Sequence, residues 1–444
     1  MIVVFTCVLA AISLLAYAHY KHLFNPITLM FGLWAIIIPL SSEVHYGISV
    51  ADYTVYTIIA IGLLSYLIGI VCANENVRFR FGASQSLHET ITSDYYINYP
   101  FLYAVSAISL FYYFIIVIRI LPYVGSGSLL AVVRKMAVSE GANELESSFI
   151  IVLLKNYIAT PTARLLIAIL PLEWFMGKRD KKLIICIISI FVLDILTTGG
   201  RSSIVLLGEY FLCVYTMKIK RNGEVIFKGK LTLKRKILLL GAGLLLFYFL
   251  LKTTYSRKGA NVNLLRQVFI YYVAPIKYFE YNKHIVDASY SSFLGLGTAS
   301  LYGFFYPFLF LFKVLGFYSE YPYIFAVSRW LSFNMLQETV HLGGKFYMNA
   351  FATMFFQPYI DGRIPGVIVL CFLMGLFTSL SYKKAINKGD LKWALIYLLF
   401  FQKAINSEVR FYFTMPTHAI CLIYALFAIR RVRKLPASQR EKNI

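Results

Sequence analysis

Long runs of apolar residues separated by short polar segments dominate the chain. A helix that crosses a bilayer needs about 20 consecutive apolar residues, and eleven runs approach or reach that length. The pattern predicts an all-α polytopic membrane protein of about 11 transmembrane helices. The runs are residues 1–18, 24–41, 52–74, 99–121, 148–176, 183–198, 202–217, 237–251, 364–382, 391–406 and 411–429.

The basic residues are distributed unevenly between alternate loops. The formal net charge is +22, and most Lys and Arg residues lie near residues 178–182, 218–236 and 383–392 and in the tail from Arg430. Because cytoplasmic loops carry such an excess, the amino terminus is predicted outside and the carboxyl terminus in the cytoplasm. This orientation requires an odd number of crossings, which eleven satisfies. The charge follows membrane topology, so we expect no nucleic-acid partner.

Composition narrows the class of protein further. The chain is 59% hydrophobic and 14% charged, which is far from the profile of a soluble domain. The first apolar run lacks a basic leading segment and a small-residue cleavage site, so it is predicted to be the first span rather than a signal peptide. All six cysteines fall inside apolar runs without ligand spacing, which predicts neither a disulfide framework nor a metal site.

One aromatic-rich stretch, residues 252–362, interrupts the apolar runs and is called the external cap below. Of its 111 residues, 29 are aromatic, against 17% for the whole chain. Its run Ala299–Phe317 is apolar enough to enter the bilayer. Either it pairs with Val262–Phe279 as a further crossing, giving up to 13 spans, or it is re-entrant. We expect eleven spans with a half-embedded cap, flanked by an N-terminal bundle of about eight spans (1–251) and by C-terminal spans with a basic tail (363–444).

Several motifs of nucleotide and metal chemistry are missing from the sequence. It contains no D-x-D, no G-x-x-x-x-G-K-[ST] and no H-x-x-x-H, and its cytoplasmic loops are too short for a nucleotide-binding domain. A nucleotide-sugar transferase, an ATP-driven pump and a zinc protease are therefore disfavoured. We expect no cofactor and no metal.

Two external turns and one juxtamembrane segment place arginines at the outer membrane surface. In residues 197–203, Gly199 and Gly200 free the backbone, Ser202 or Ser203 can cap the next helix, and its amino end with Arg201 would suit a diphosphate. The alternative is a tight hairpin whose arginine reaches the lipid headgroups. The same two interpretations, a binding site or a structural charge, apply to two other segments. These are residues 255–259, which contain Arg257, and residues 407–410, which contain Glu408 and Arg410.

The external cap contains further candidates. Tyr271, Tyr272, Tyr278, Phe279 and Tyr281 cluster near Glu280, and each is either a ligand-facing ring or a packing aromatic. Glu338 and His341 would make an acid/base pair or a solvated loop pair. Asp361 would be a site residue or only a helix cap. Within the spans, the charges of Lys155, Arg164, Asp194 and Glu209 are explained by mutual pairing or by an ion path.

These patches together resemble the Wzy-type polymerases that join oligosaccharide repeat units of O-antigens and capsules, a group with GT-C-like relatives among glycan polymerases and ligases. The similarity covers most of the chain in topology but only short patches in sequence. The patches are residues 199–203, 255–259, Tyr271–Tyr272, Tyr278–Tyr281, Asn349 and Tyr359–Gly362.

The resemblance implies glycosyl transfer without nucleotide or metal, at the outer face of the bacterial inner membrane. The growing glycan on undecaprenyl diphosphate would move en bloc to the incoming lipid-linked unit. Arg201, Arg257 and Arg410 would stabilise the departing diphosphate. Glu408 is the first candidate for the general base, and His341 is the second. Lipid-linked oligosaccharides and membrane lipids are the expected partners, with a Wzz-type chain-length determinant as a further candidate. The implied substrate-binding residues are Gly199, Gly200, Ser202, Arg266, Tyr271, Tyr272, Tyr278, Glu280, Asn349, Tyr359 and Asp361.

Two other functions remain open. An O-antigen ligase would use the same chemistry with a lipid A-core acceptor. A flippase for lipid-linked oligosaccharides, or another transporter, would show two similar halves and a charged central cavity. The uneven spacing of the spans argues against transport.

Overall fold

The computed structural model describes most of the chain. The described residues are 2–44, 46–74, 93–123, 133, 148–221, 224–228, 241, 243, 248, 252, 263–344, 346–349, 351–388 and 390–433. The predicted site residue Arg257 and most of the predicted span 237–251 lie outside these residues.

Helices account for most of the described residues. A π-helical segment, Leu154–Ala159, joins α5 to α6, and another, Trp330–Asn334, follows α11. In chain order the helices are α1 (Ile2–Tyr20), α2 (Thr28–Ser41), α3 (Tyr53–Asn74), α4 (Tyr99–Ile120), α5 (Phe149–Leu153), α6 (Thr160–Met176), α7 (Lys181–Thr198), α8 (Ser202–Thr216), α9 (Leu264–Ser289), α10 (Tyr302–Val314), α11 (Tyr323–Arg329), α12 (Phe356–Lys388), α13 (Leu391–Ile405) and α14 (Pro416–Ala428).

Short antiparallel strand pairs supplement the helices, although the sequence pattern predicts an all-α fold. β1 (Ser93–Ile97) pairs with β6 (Ile429–Arg433), β2 (Lys218–Arg221) with β3 (Glu224–Lys228), and β4 (Val340–Gly343) with β5 (Phe346–Met348). Their hydrogen bonds satisfy backbone groups where the chain turns between helices. Runs of three to five residues are too short for a period-2 pattern to stand out against the long apolar runs.

Five helices in the described part of the chain are long and apolar enough to cross a membrane. They are α1, α3, α4, the joined α5–α6 and α12, while α2, α8, α10 and α14 are apolar but shorter. These lengths and compositions support a helical membrane protein. Every predicted span except residues 237–251 coincides with a described helix, but the total of eleven crossings stays a prediction.

Contacts between distant parts of the chain show which helix ends lie close to one another. β1 pairs with β6, and Lys383 Nζ donates to the Ala73 carbonyl at 2.7 Å. On the opposite predicted side, Ser49 Oγ donates to the Leu342 carbonyl at 2.8 Å. The eleven-span scheme separates the residues of each contact by an even number of crossings. Each contact therefore joins residues that are predicted to lie on the same side of the membrane.

Helices α3 and α12 pack at very close range. A Cβ added to Gly69 would lie 2.1 Å from the Phe372 carbonyl oxygen, and one added to Gly375 would lie 2.0 Å from that of Tyr66. Small residues at both positions let the two backbones touch, a common device where lipid removes the hydrophobic drive for helix association. The contact holds the first part of the chain against its last third.

A break in α12 marks the end of the external cap. Arg363 has φ +54°, a left-handed conformation that is uncommon for residues with a side chain. Pro365 has no N–H to donate to Asp361, and the Asp361 carbonyl accepts from Leu296 N at 2.9 Å instead. The Arg363 guanidinium donates to the Tyr290 carbonyl at 2.7 Å just beyond the end of α9. The sequence predicts the change from cap to span at this position, between residues 362 and 363.

Helix α10 lies against α14, the last predicted span. A Cβ on Gly303 would lie 2.6 Å from the Phe413 carbonyl oxygen and 2.5 Å from that of Met415. α10 and α14 are each 13 residues long, about 20 Å against a bilayer core of about 30 Å. Helix length therefore does not separate a re-entrant α10 from a further crossing, and both alternatives stay predictions.

Candidate functional site

The turn between α13 and α14 is the centre of the candidate site. Trp34 Nε1 donates to Ser407 Oγ at 2.8 Å, and the Met354 N–H donates to the Ser407 carbonyl at 2.6 Å. Thr353 pairs with Arg410 in an isolated β-bridge. Segment 351–355 of the cap therefore holds the turn against the bundle and fixes where its charged side chains lie.

Glu408 is buried in this turn. Its side chain is 2% exposed, and Oε2 has no hydrogen-bond partner in the described part of the chain. Burial, the largest cause, raises the pKa of Glu408 from 4.5 to about 8, and the nearby charge of Glu209 adds to the rise. At neutral pH the carboxyl is mainly protonated, so it does not fully offset neighbouring cations.

Arg410 lies beside a small cavity. The cavity is lined by Met354, Met374, Lys403, Arg410 and residues 411–413. Arg410 Nη1 donates to Met415 Sδ at 3.3 Å, and burial lowers its pKa. Its guanidinium keeps its charge, because the ordinary pKa of arginine lies far above neutrality.

Two further cations act on the same region from inside the bundle. Lys403 of α13 is 3% exposed, and its Nζ donates to the Leu399 carbonyl at 2.9 Å. Arg164 of α6 acts electrostatically on Lys403 and on Tyr412. We call Arg164, Lys403 and Arg410 the cation cluster. Since isolated buried charge is costly, three cations this close create a site that favours an anion.

Polar residues from two more helices border the cation cluster. The His418 imidazole of α14 packs edge-on against Tyr412 at 4.8 Å and also feels the charges of Arg164 and Lys403. Glu209 of α8 accepts from Asn406 Nδ2 at 3.5 Å. A histidine and two carboxyls therefore border the cations, and the carboxyls supply groups that can exchange protons with a bound ligand.

The 197–203 turn reaches the cation cluster through Arg164, whose Nη2 donates to Ser202 Oγ at 3.4 Å. Gly199, at φ +56°, ends α7 in the left-handed conformation, and the Gly200 N–H donates to Thr198 Oγ1 at 3.1 Å. Arg201 is the half-buried residue immediately before α8. The turn and its arginine thus begin the helix that carries Glu209.

The expectation that Ser202 or Ser203 caps α8 is wrong. The residue at the cap position is Arg201, without a side-chain capping bond. Ser203 Oγ instead donates to Asp194 Oδ2 at 2.6 Å, and Tyr113 OH donates to Asp194 Oδ1 at 3.0 Å. The buried Asp194 draws the hydroxyl away from the helix end because a carboxylate is the stronger acceptor. Within the described part of the chain, two hydroxyls therefore satisfy this buried carboxyl.

Two tyrosines of the external cap lie over the charged turn. Tyr271 of α9 lies near Arg410 and Tyr412, and its ring packs against Phe351 at 5.0 Å. Tyr272 lies near Glu408. Tyr271 is 46% exposed, so its ring is accessible beside the turn. Of the candidate pairs in the cap, this is the one that the structure brings to the cation cluster.

Other predicted site residues of the cap have structural partners. Tyr278 is fully buried and donates to the Glu338 carbonyl at 3.2 Å, while Glu280 accepts from Lys277 Nζ at 2.7 Å. His341 is exposed on the β4–β5 hairpin, with Nε2 2.6 Å from the Gly344 carbonyl. These contacts explain the three side chains without a ligand.

The remaining candidates also hold segments of the cap together. Both Asp361 oxygens accept backbone N–H groups, from Ala299 and Ser300, at 2.8 Å. The carboxyl therefore holds the turn that precedes α10, and it does not cap the next predicted span, because Asp361 itself lies within α12. Tyr359 OH donates to Asp287 Oδ1 at 2.8 Å, and Asn349 Nδ2 donates to the Gln337 carbonyl at 3.3 Å. Arg266 is exposed, and its backbone N–H donates to Asn263 Oδ1 at 3.0 Å.

Sequence reasoning missed part of this site. The apolar runs contain Lys403 and His418, and an ionisable residue within such a run is the sequence signal that identifies them. Arg164 was noted only as a buried charge. Comparisons of the chain with protein-family models, curated proteins and solved structures found no match.

Proposed function

We propose that this protein polymerises oligosaccharide repeat units carried on a polyprenyl diphosphate, at the outer face of the bacterial inner membrane. The observation that carries the proposal is the cation cluster beside a buried carboxyl, covered by the aromatic external cap. Cations at the bundle mouth suit a lipid diphosphate, and aromatic rings above them suit sugars.

The proposed reaction breaks the bond between the donor sugar and its diphosphate. The acceptor hydroxyl attacks the anomeric carbon of the growing glycan, and the glycosidic bond forms as the polyprenyl diphosphate departs with the electron pair. Arg410, Lys403 and Arg164 stabilise the negative charge that develops on the leaving group. Glu408 in its ionised form accepts the proton of the acceptor hydroxyl.

The raised pKa of Glu408 suits the role of a base. A general base works best when its pKa is near the working pH, and the pKa of about 8 for Glu408 meets this condition. Because the buried carboxyl is mainly protonated at neutral pH, its ionised fraction is the form that accepts the proton of the acceptor hydroxyl.

Arg410→Gln tests the proposal in purified protein supplied with a polyprenyl-diphosphate-linked repeat unit. Loss of one charge-stabilising donor should slow chain elongation by about 100-fold to 1,000-fold, as measured from the ladder of glycan lengths. Arg179→Gln is the matched control, because this exposed arginine follows α6 at the opposite predicted face and contacts the Trp174 carbonyl. Equal elongation by the two variants would refute a role for the cation cluster in the reaction.

A transporter is the second candidate, because Glu209, Lys403 and His418 place ionisable groups inside the helices as a transport path would. Proteoliposomes holding the lipid-linked unit on one side separate the functions. A transporter moves the unit without lengthening it, and a ligase transfers it to lipid A-core without extending it. Longer chains on the polyprenyl carrier identify a polymerase.

A further inference from the structure

A second aromatic site lies where α10 meets the joined α5–α6 helix. We call Tyr157, Tyr302, Tyr306, Tyr318 and Tyr321 the tyrosine cluster. The rings of Tyr157 and Tyr306 are nearly parallel, with 8° between their planes and 6.3 Å between centroids. Tyr302 and Tyr306 are 5.6 Å apart, and Tyr318 and Tyr321 are 6.1 Å apart. Tyr321 lies near Tyr157, Tyr302 and Tyr306, which joins these pairs into one group.

Packing alone does not explain why these residues are tyrosines. The hydroxyl groups of Tyr157 and Tyr302 are buried and have no hydrogen-bond partner in the described part of the chain. A buried hydroxyl without a partner costs free energy that phenylalanine at the same position would not cost. Tyr306, Tyr318 and Tyr321 are only partly buried, so the cluster has an accessible edge.

Local backbone geometry also sets this region apart. Tyr157 belongs to the π-helical segment 154–159, and Phe333, whose ring lies 5.5 Å from that of Tyr302, belongs to the π-helical segment 330–334. π-helical turns are rare and are found frequently at functional sites. Two such segments from distant parts of the chain border the same rings.

Two cations lie at the accessible edge of the tyrosine cluster. Lys313 Nζ is 4.9 Å, and Arg329 Cζ 5.8 Å, from the centroid of the Tyr321 ring. Both side chains are exposed, and their remaining N–H donors can bind an anionic group. The exposed Glu320 precedes Tyr321, so the balance of these three charges is positive.

We infer that the tyrosine cluster binds a carboxylate-bearing sugar residue of the glycan, with its ring against the tyrosines and its carboxylate on Arg329 and Lys313. Aromatic faces accommodate the apolar side of a sugar ring, tyrosine hydroxyls bond to its hydroxyls, and guanidinium groups bind carboxylates. This inference rests on the proposed function in naming the glycan, but binding can be measured without turnover.

Binding to the full chain in phosphatidylcholine nanodiscs tests the inference. The probes are an oligogalacturonide and a neutral maltooligosaccharide of the same length, with Kd measured by calorimetry. We expect the acidic probe to bind about tenfold more tightly, and Arg329→Gln to remove that preference. Tyr321→Ala should weaken the binding of both probes, raising each Kd about fivefold. Tyr323→Ala is the matched control, since Tyr323 packs against Phe293 at 6.3 Å outside the cluster.

Several outcomes would overturn the inference. These are equal affinity for the two probes, an acid preference that survives Arg329→Gln, or equal binding by the Tyr321 and Tyr323 variants. Loss of probe binding when phosphatidylglycerol replaces phosphatidylcholine would assign the cations to a lipid headgroup instead. Circular dichroism and gel filtration confirm that each variant is folded.

The binding and elongation experiments fail independently. Specific binding of the acidic probe by a protein that never elongates chains would keep the tyrosine cluster and refute the polymerase. Normal elongation of a repeat unit containing an acidic sugar by Arg329→Gln, with unchanged probe binding, would keep the polymerase and refute the assigned site.

Discussion

Replacing Glu408 by glutamine should make the protein more stable, increasingly so as the pH rises. The side chain is 2% exposed, and its pKa is raised from 4.5 to about 8 by burial. Between these two values the unfolded chain has lost the proton while the folded protein still holds it. Folding then requires proton uptake, so stability falls as pH rises through this window.

The size of the effect follows from the two pKa values. Each pH unit within the window costs about 1.4 kcal/mol, so at pH 7 the wild-type protein has lost about 3 kcal/mol relative to pH 4.5. Glutamine has nearly the same shape and no proton to release, so it avoids this cost. The advantage of Glu408→Gln should therefore be small near pH 5 and about 3 kcal/mol at pH 7.

Unfolding in mixed micelles at pH 5, 6 and 7, followed by tryptophan fluorescence, measures this difference. Asp180→Asn is the matched control, because hydrogen bonds to Asp180, chiefly from the Leu183 N–H and then from Tyr103, lower its pKa. Its ionised form supports folding above the unfolded pKa, so this variant should be less stable throughout. An advantage of Glu408→Gln that does not change with pH, or a loss of stability at pH 7, would show that Glu408 is ionised in the folded protein and would refute the reasoning.

Two further predictions concern topology and packing. In a protein whose native cysteines are replaced, a cysteine introduced at the exposed Tyr347 should react with a membrane-impermeant maleimide added to the outer side. A cysteine introduced at Arg179 should not react. The reverse result would show that the predicted orientation is inverted. Gly375→Ala should destabilise the protein by about 1–3 kcal/mol in thermal unfolding, because its Cβ would lie 2.0 Å from the Tyr66 carbonyl oxygen. The control Gly208→Ala, with no atom within 4 Å of the added Cβ, should be neutral or stabilising, and equal losses for the two variants would contradict the close helix contact.

The sequence by itself determined where most of the long apolar helices lie. Membrane-spanning helices can be recognised from the sequence alone, because residues that face lipid are apolar and the backbone groups bond within their own helix. Residues 52–74 and 99–121 therefore correspond closely to α3 and α4. The break in α12 at Gly362 and Arg363 became visible only in the structure.

Only the tertiary structure decided which charges share a site. Arg164, Lys403 and Arg410 are separated by up to 246 positions in the sequence, and only Arg410 is predicted from the sequence as a site residue. The burial of Glu408 depends on Trp34 and segment 351–355 covering its turn, which no local pattern encodes. Conversely, Asp361 and Tyr278 look like ligand-binding residues along the chain and have structural partners in the fold. Apolar periodicity is a local property of the chain, whereas desolvation and Coulomb interaction depend on every group brought within a few ångströms.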